Sequence, residues 1–155
     1  MRLALYQPDI PQNTGTILRL AACLDVPVDI IGPAGFDMSD RNLRRAGLDY
    51  LPHVALTRHL SWARFLSDRC PAGTSPGRLV LLSAKGPARH TDFAYRPDDT
   101  LLLGRESAGV PPAVLAAADA VVRIPLKAQL RSLNVAMAAA LVLGEALRQT
   151  DAYPR

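Results

Sequence analysis

The amino-acid sequence predicts an α/β fold, in which helices cover both faces of a parallel sheet. Two stretches, "LVLLSAKG" and "TLLLGRESAGVPP", each contain a continuous apolar run of strand length followed by a glycine-bearing loop, which is typical of strands buried on both faces. Such runs alternate along the chain with segments of helical periodicity, as βα units do. A length of 155 residues suits one domain, so we expect a single domain over residues 1–155.

The predicted elements follow one another in a regular order. A short first strand ends before Pro8 and leads into a helix for which Asn13 or Thr14 is a candidate N-cap. A short basic helix, capped by Ser39 or Asp40, follows the second strand. The predicted strands lie in "RLALYQ", "VDIIGP", "HVALTRH", "LVLLSAKG", "TLLLGRESAGVPP" and "AVVRIPL", and the predicted helices in "NTGTILRLAACLDV", "SDRNLRRAGLDY", "LSWARFLSDRC" and "RSLNVAMAAALVLGEALRQ".

Composition and charge limit the partners and the cellular location that we expect for this protein. A formal net charge of +4 and a pI of about 9.5 indicate a surface that attracts polyanions, so nucleic acid is a reasonable partner. We find no signal peptide and no apolar run of the about 20 residues that span a bilayer, and therefore expect a cytoplasmic protein. Cys23 and Cys70 lie far apart without metal-ligand spacing, so we expect two buried, reduced cysteines.

Three loops lie where open α/β sheets bind their ligands, beyond the carboxyl ends of the strands. They are "SAKG" after Leu82, "GRESAGVPP" from Gly104 and "PLKAQLRSLN" after Ile124. The sequence has no Walker phosphate loop and no Gly-x-Gly-x-x-Gly, which disfavours a conventional nucleotide-binding site. It also lacks the zinc motif His-Glu-x-x-His, and we predict no metal site. The scattered histidines are expected at the surface or as caps: His53, His59 and His90.

Three short motifs carry candidate functional residues, each with a structural alternative. Gly15 in "IPQNTGTILR" could let a ligand approach a helix that carries Arg19, or the segment is a capped helix with a solvent-facing arginine. Glu106 could accept hydrogen bonds from a base or a ribose, or it caps a neighbouring helix. Ser132 and Asn134 are suited to cap the last helix. On these residues alone the alternatives stay open.

Together these motifs resemble those of the SPOUT methyltransferases, and among them the small tRNA 2′-O-methyltransferases of the TrmL type. The resemblance runs over almost the whole chain, through "IPQNTGTILRLAA", "RRAGLDY", "LLLGRESAGVPP" and "IPLKAQLRSLNVAMAAALVLGEALRQ". It implies a deep trefoil knot in the C-terminal segment, which periodicity does not indicate. It also implies methyl transfer from S-adenosylmethionine to the ribose 2′-hydroxyl of wobble nucleotide 34, a cytidine or modified uridine in leucine tRNAs.

The resemblance assigns roles to individual residues. Arg19 corresponds to the catalytic arginine, which in this family lies near the partner subunit's cofactor. Because a guanidinium is a very poor base, holding a substrate phosphate and stabilising the developing alkoxide is an easier role for it than proton abstraction. The residues that the resemblance implies around S-adenosylmethionine are Leu82, Gly104, Glu106, Ile124, Ser132, Leu133 and Asn134.

The resemblance further implies a homodimer that packs through the last helix and the knot and binds the anticodon stem-loop of tRNA without a separate RNA-binding domain. For that helix, the alternative is burial inside the core of a monomer. Other functions also stay open: methylation at another tRNA or rRNA site, RNA binding without catalysis, or ordinary nucleotide-binding chemistry. The candidate RNA contacts are Asn13, Arg41, Arg44, Arg45 and Arg58. The arginines in this set are equally typical of a solvated helix face.

Overall fold

The structure is a computed structural model that describes residues 1–39, 50–70 and 76–155. Within these residues, seven strands form one sheet in the order β3-β2-β1-β6-β4-β7-β5, and every neighbouring pair is parallel. No helix in this part of the chain combines the length and the apolar character that crossing a membrane requires. The strands are β1 (Arg2–Tyr6), β2 (Val28–Ile31), β3 (Leu56–His59), β4 (Leu79–Leu82), β5 (Ala88–Arg89), β6 (Thr100–Leu103) and β7 (Ala120–Arg123), and the helices are α1 (Pro11–Cys23), α2 (Trp62–Arg69), α3 (Pro112–Ala116) and α4 (Val135–Gln149), with a 3₁₀ turn at Leu51–His53.

The register of the central strands brings their carboxyl ends together. Leu5 of β1 pairs with Leu103 of β6, Leu103 pairs with Leu82 of β4, and Leu82 pairs with Val122 of β7. The loops that follow these four strands therefore leave the sheet side by side, although they are far apart in sequence. This placement makes the edge beyond β4, β6 and β7 the natural position for a ligand site.

Each face of the sheet is covered by helices, which confirms the predicted layers. Leu5 belongs to the core beneath α1 and α4, where Leu18 and Leu143 are fully buried. Its neighbour Tyr6 belongs to the opposite core, which α2 closes with Phe65. Each fully buried leucine of this kind stabilises the fold by about 1.5–3 kcal/mol relative to exposure. The alternation along the strands thus holds the helices on both faces.

Helix α1 begins earlier than the sequence predicted. Its N-cap is Ile10 rather than Asn13 or Thr14, and Ile10 makes no side-chain cap bond. Pro11 occupies the first helical position, where no N–H is needed, so a polar cap is not required. The amide of Asn13 is therefore available to bond elsewhere. The predicted basic helix with Ser39 or Asp40 as cap falls mainly on residues 40–49, outside the described residues.

Two expectations about single residue types were wrong. Cys23 and Cys70 are exposed rather than buried, because they lie at the ends of α1 and α2 and not on their packed faces. His59 was expected at the surface or as a cap, but it is buried. As the last residue of β3 it places its ring against Phe65, with centroids 5.3 Å apart.

The His59 ring connects two carboxylates at the β3 edge of the sheet. Its Nε2 lies 2.9 Å from Oδ1 of Asp29, and its Nδ1 lies 3.0 Å from Oδ2 of Asp68. Arg2 donates two further hydrogen bonds to Asp29, at 2.8 and 3.0 Å. The hydrogen bond from His59 lowers the pKa of the Asp68 carboxyl. Since Asp29 is only 4% exposed, its carboxylate depends on these donors to be tolerated inside the fold.

Replacing His59 with leucine should lower the free energy of unfolding by about 3 kcal/mol, because a buried carboxylate loses a donor while the apolar volume is kept. Urea unfolding followed by circular dichroism measures the change. The control is Arg64→Leu, which removes the exposed partner of Asp68 and should leave stability almost unchanged. Equal stability of His59→Leu and the wild type would contradict this account of the network.

Candidate active site

A cavity of about 940 Å³ opens beyond the carboxyl ends of β4, β6 and β7. Its walls include the start of α1, the loop after β4, the loop after β6 and the segment between β7 and α4, together with residues of α3 and the first turn of α4. This volume is within the range of small-molecule sites, and a mixture of apolar walls and a few polar groups is typical of them. The cavity therefore has the position and the size of a ligand site.

The loop after β6, residues 104–109, folds back on itself and is called the Glu106 loop below. Arg105 and Gly109 exchange main-chain hydrogen bonds of 2.9 and 2.8 Å. A Cβ added at Gly104 would lie 2.8 Å from the carbonyl carbon of Gly109, so a larger residue would force the turn apart. Gly109 itself has a φ of +64°, which favours glycine. The two glycines of "GRESAG" thus allow a turn tight enough to form one wall.

The carboxyl group of Glu106 is held by groups from the start of the chain. Its Oε2 accepts from the main-chain N–H of Asp9 at 3.1 Å, and its Oε1 accepts from Nδ2 of Asn13 at 3.3 Å. Burial, reinforced by the hydrogen bond to Asp9, raises the pKa of Glu106. The same side-chain contact lowers the pKa of Asp9 to about 2. Within this pair, Asp9 is therefore the stronger acid and Glu106 the weaker one.

Asn134 joins the last helix to this group. Its Oδ1 accepts from the main-chain N–H of Ala136 at 2.8 Å and of Met137 at 3.4 Å, so it caps α4 as the sequence predicted. Its Nδ2 donates to Oδ1 of Asn13 at 2.8 Å. Asn134, Asn13 and Glu106 thus form a continuous chain of hydrogen bonds across three walls of the cavity.

The structure brings most of the predicted site residues together. Asn13, which the sequence analysis assigned to RNA contact, lines the cavity. Its amide forms hydrogen bonds with both Glu106 and Asn134, which supports a positioning role instead. Two further residues at the site, Asp9 and Lys85, were missed. Asp9 could have been suspected, because it follows the strand that pairs with β6. The seven residues that the sequence associated with the cofactor all line the cavity: Leu82, Gly104, Glu106, Ile124, Ser132, Leu133 and Asn134.

The two predicted basic residues that the structure describes, Arg19 and Arg58, lie apart from the cavity. Arg19 is exposed on α1 and does not line it; its guanidinium lies over the ring of Tyr50, 4.8 Å from the centroid. Arg58 is exposed on β3, three strands away from β6 in the sheet. The other candidates, Arg41, Arg44 and Arg45, lie outside the described residues. If Arg19 acts at such a cavity, it does so from a different chain or after a rearrangement.

Replacing Asn134 with alanine should lower the free energy of unfolding by about 1 kcal/mol, because α4 loses its N-cap. Asn134→Asp keeps the cap acceptor and should retain most of that stability, although it cannot donate to Asn13. Chemical denaturation of both variants measures the difference. A drop in stability in Asn134→Asp as large as in Asn134→Ala would show that the bond to Asn13, and not the cap, is the stabilising interaction.

Comparison with known proteins identifies the family. The sequence profile of the SpoU rRNA Methylase family matches residues 1–144. A tRNA (cytidine(34)-2′-O)-methyltransferase from Beijerinckia indica subsp. indica is 64% identical over 153 residues, which cover 99% of this chain and 94% of the relative. A solved structure described as "Structural insights into the 2-OH methylation of C/U34 on tRNA" is 45% identical, covers 96% of this chain and 94% of its own, and has a TM-score of 0.87.

A second solved structure contains a cofactor. The SpoU methyltransferase AviRb from Streptomyces viridochromogenes in complex with AdoMet is 31% identical, with a TM-score of 0.84, and the match covers 96% of this chain and 60% of that one. The profile match over most of the chain and the high identity to the first relative agree with the resemblance in the motifs. This chain is a methyltransferase and belongs to the SpoU rRNA methylase family.

Proposed function

We propose that this protein is a cytoplasmic tRNA methyltransferase that transfers a methyl group from S-adenosylmethionine to the ribose 2′-hydroxyl of nucleotide 34, a cytidine or modified uridine in leucine tRNAs. The observation that carries the proposal is the convergence of all seven predicted cofactor residues on one cavity. The relative and the structure named for methylation at position 34 support the choice of substrate.

The residues around the cavity fit S-adenosylmethionine. Apolar side chains such as Leu82, Ile124 and Leu133 offer walls for an adenine ring, and the polar groups of the loop before α4 lie beside them. A Cβ added at Gly109 would meet no atom within 4 Å, so a ligand has room against the main chain there. When bound, S-adenosylmethionine supplies an electrophilic methyl group on a sulfonium. The protein has to orient this group toward the ribose hydroxyl and exclude water.

We also propose that the C-terminal segment forms the trefoil knot of the SPOUT fold. The course of the chain supports it. The chain leaves β7 on the far side of β4 from β6, and α4 then packs back against α1 and β6. The segment between β7 and α4 therefore passes the loops that follow β4 and β6, which line the same cavity.

The homodimer is supported by the exposed side of α4. Met137 and Leu141 lie one helical turn apart and are 59% and 47% exposed, whereas other residues of the same helix, such as Val142, Leu143 and Leu147, are buried in the core. The alternative of a helix buried entirely within one chain does not agree with this exposure. Large apolar side chains that lie together at a surface are typical of an interface, and a second copy of the chain would cover them.

In such a dimer, Arg19 would act at the cavity of the partner subunit. It lies on the exposed side of α1, and α1 packs beside α4. The contact with Tyr50 holds the guanidinium in one region through a cation–π interaction. A guanidinium is a very poor base, so it does not accept the ribose proton readily. We therefore assign Arg19 to the substrate phosphate and the developing alkoxide, where a fixed positive charge stabilises the transition state.

Basic side chains near the cavity suit an RNA substrate. Lys85 lines the cavity and is exposed. Lys127 and Arg131 are exposed on the segment between β7 and α4, where the N–H of Leu130 donates to the carbonyl of Lys127 in a turn. Their charges would attract the phosphates that flank the target nucleotide.

Labelled methyl transfer from S-adenosylmethionine to tRNA, followed by nuclease mapping, tests the proposed function. We expect one 2′-O-methyl group, at nucleotide 34 of leucine tRNAs. In Arg19→Ala, kcat should fall by about 10²- to 10³-fold, whereas the affinity for S-adenosylmethionine should be unchanged. Arg155→Ala, at an exposed arginine of the C-terminus, is the matched control. Near-normal turnover of Arg19→Ala would remove this residue from the mechanism.

The mapping also separates the other functions. A methyl group at another nucleotide would support the proposed methyl transfer but would show that nucleotide 34 is not the target. Binding of tRNA without affinity for S-adenosylmethionine would indicate an RNA-binding protein without this activity.

A second prediction concerns the basic segment at 40–49, and it rests on charge alone. Replacing Arg44 and Arg45 together with glutamine should weaken tRNA binding and reduce the slope of log K against log salt by about 1 for each phosphate that these arginines neutralise. Binding measured by filter retention at several salt concentrations gives the slope. An unchanged slope would exclude these two arginines from contact with the phosphates.

A further inference from the structure

Asp9 and the Glu106 loop bind each other through both main-chain and side-chain groups. The N–H of Asp9 donates to Oε2 of Glu106, and the N–H of Glu106 donates to Oδ1 of Asp9, both at 3.1 Å. The hydroxyl of Ser107 donates to the other carboxylate oxygen of Asp9. Nε of Arg105 lies 3.7 Å from that same oxygen. Three consecutive residues of the loop therefore face one aspartate.

Asp9 is itself held by contacts with the segment around Gly35, which allows it to act as an anchor. The N–H of Gly35 donates to the carbonyl of Pro8 at 2.9 Å. A Cβ added at Gly35 would lie 2.8 Å from Cβ of Asp9, so the two segments are in close contact. The side chain of Asp9 is only 15% exposed. Its position thus depends on the fold of the N-terminal segment rather than on the free rotation of a surface side chain.

We propose that Asp9 is a positioning residue of the methyl-transfer site, which fixes the Glu106 loop against the start of α1 and orients Glu106 toward Asn13. The inference rests on the proposed function, since the loop forms one wall of the cavity assigned to S-adenosylmethionine. Asp9 does not line that cavity. Its effect on a bound ligand is therefore exerted through the loop and not by contact.

The contact between the two carboxyl groups makes this anchor sensitive to pH. Burial, together with the hydrogen bond to Asp9, raises the pKa of Glu106. Glu106 therefore keeps its proton at pH values at which an ordinary glutamate has lost it. As pH rises through this raised pKa, the proton is lost and two adjacent carboxylates remain. The other groups that face the pair are the Arg105 guanidinium, the Ser107 hydroxyl and the Asn13 amide. The loop should therefore be held most firmly below the pKa of Glu106.

A carboxyl titration tests the anchor without any ligand. The chain contains only two glutamates, Glu106 and Glu145, so protein labelled with ¹³C at the glutamate side-chain carboxyl gives two signals. The Glu145 signal is an internal reference, because hydrogen bonds from Arg148 and Gln149 lower the pKa of its carboxyl to about 2. We expect Glu106 to titrate above its ordinary value in the wild type and to move down in Asp9→Asn. If Glu106 of the wild type titrates with the ordinary pKa of a glutamate, the inference is overturned.

The affinity for S-adenosylmethionine, measured by calorimetry across pH, tests the consequence for the site. Asp9→Asn should bind roughly tenfold more weakly below the pKa of Glu106, the equivalent of one hydrogen bond to a charged group. In the wild type we expect the affinity to decline as pH rises through that pKa, and Asp9→Asn should lose this decline. Asp151→Asn, the same change at an exposed aspartate, should match the wild type.

The outcomes separate this inference from the proposed function. Absence of S-adenosylmethionine binding by the wild type would contradict the proposed function, while the carboxyl titration would still report on Asp9. Normal binding by the wild type, with the same affinity and pH profile in Asp9→Asn, would reject the positioning role alone. If Asp9→Asn does not fold, the titration of wild-type Glu106 still decides whether the two carboxyl groups share a proton.

Discussion

The candidate site depends on one chain of hydrogen bonds, from Asn134 through Asn13 to Glu106. These residues come from the last helix, the first helix and the loop after β6, and the bond between Asn134 and Asn13 joins positions 121 residues apart. Because each amide uses both of its polar atoms, moving one of the three segments would leave the half-buried polar groups of Asn13 or Glu106 without a partner. The cavity therefore keeps its shape only when the whole chain is folded.

The parallel sheet makes these bonds possible. The order β1-β6-β4-β7 places strands from the start, the middle and the end of the chain next to one another, and parallel pairing directs all their following loops to one edge. The apolar strands resist any shift in register, since Leu5, Leu103 and Leu82 pack into the core beneath α1 and α4, while the residues next to them in each strand face the opposite core. Stability is concentrated in the sheet and the chemistry in the loops beyond it.

Sequence patterns predicted the elements well because those patterns have local causes. The continuous apolar runs predicted β4 and β6, the spacing of Trp62, Phe65 and Leu66 predicted α2, and Asn134 was found as the cap of α4. The start of α1 was missed, since Pro11 removes the need for a polar cap.

Features that depend on distant contacts did not follow from such patterns. The strand order, the pairing of Asp9 with Glu106 and the burial of His59 between two aspartates all require knowledge of which loops meet. No periodicity contains that information. The convergence of the seven cofactor residues was expected only from the family resemblance, which adds the long-range information that local propensity lacks.

The separation of Arg19 from the cavity is the feature that most determines how the enzyme has to work. The proposed cofactor site within one chain and the exposed Arg19 of the same chain are reconciled if two copies face each other through α4, on which Met137 and Leu141 are exposed. Two equal sites would then form across one interface, each using the cavity of one chain and the arginine of the other.

Mixing two inactive variants tests this account most directly. Arg19→Ala keeps the cavity intact, and Leu133→Trp fills it from an exposed position while keeping Arg19. Each variant alone should be inactive in methyl transfer to tRNA. After equal mixing and exchange of subunits, half of the dimers are hybrids with one intact site each, so about a quarter of the wild-type activity should return. If the mixture stays inactive although hybrid dimers are present, Arg19 does not act at the cavity of its partner.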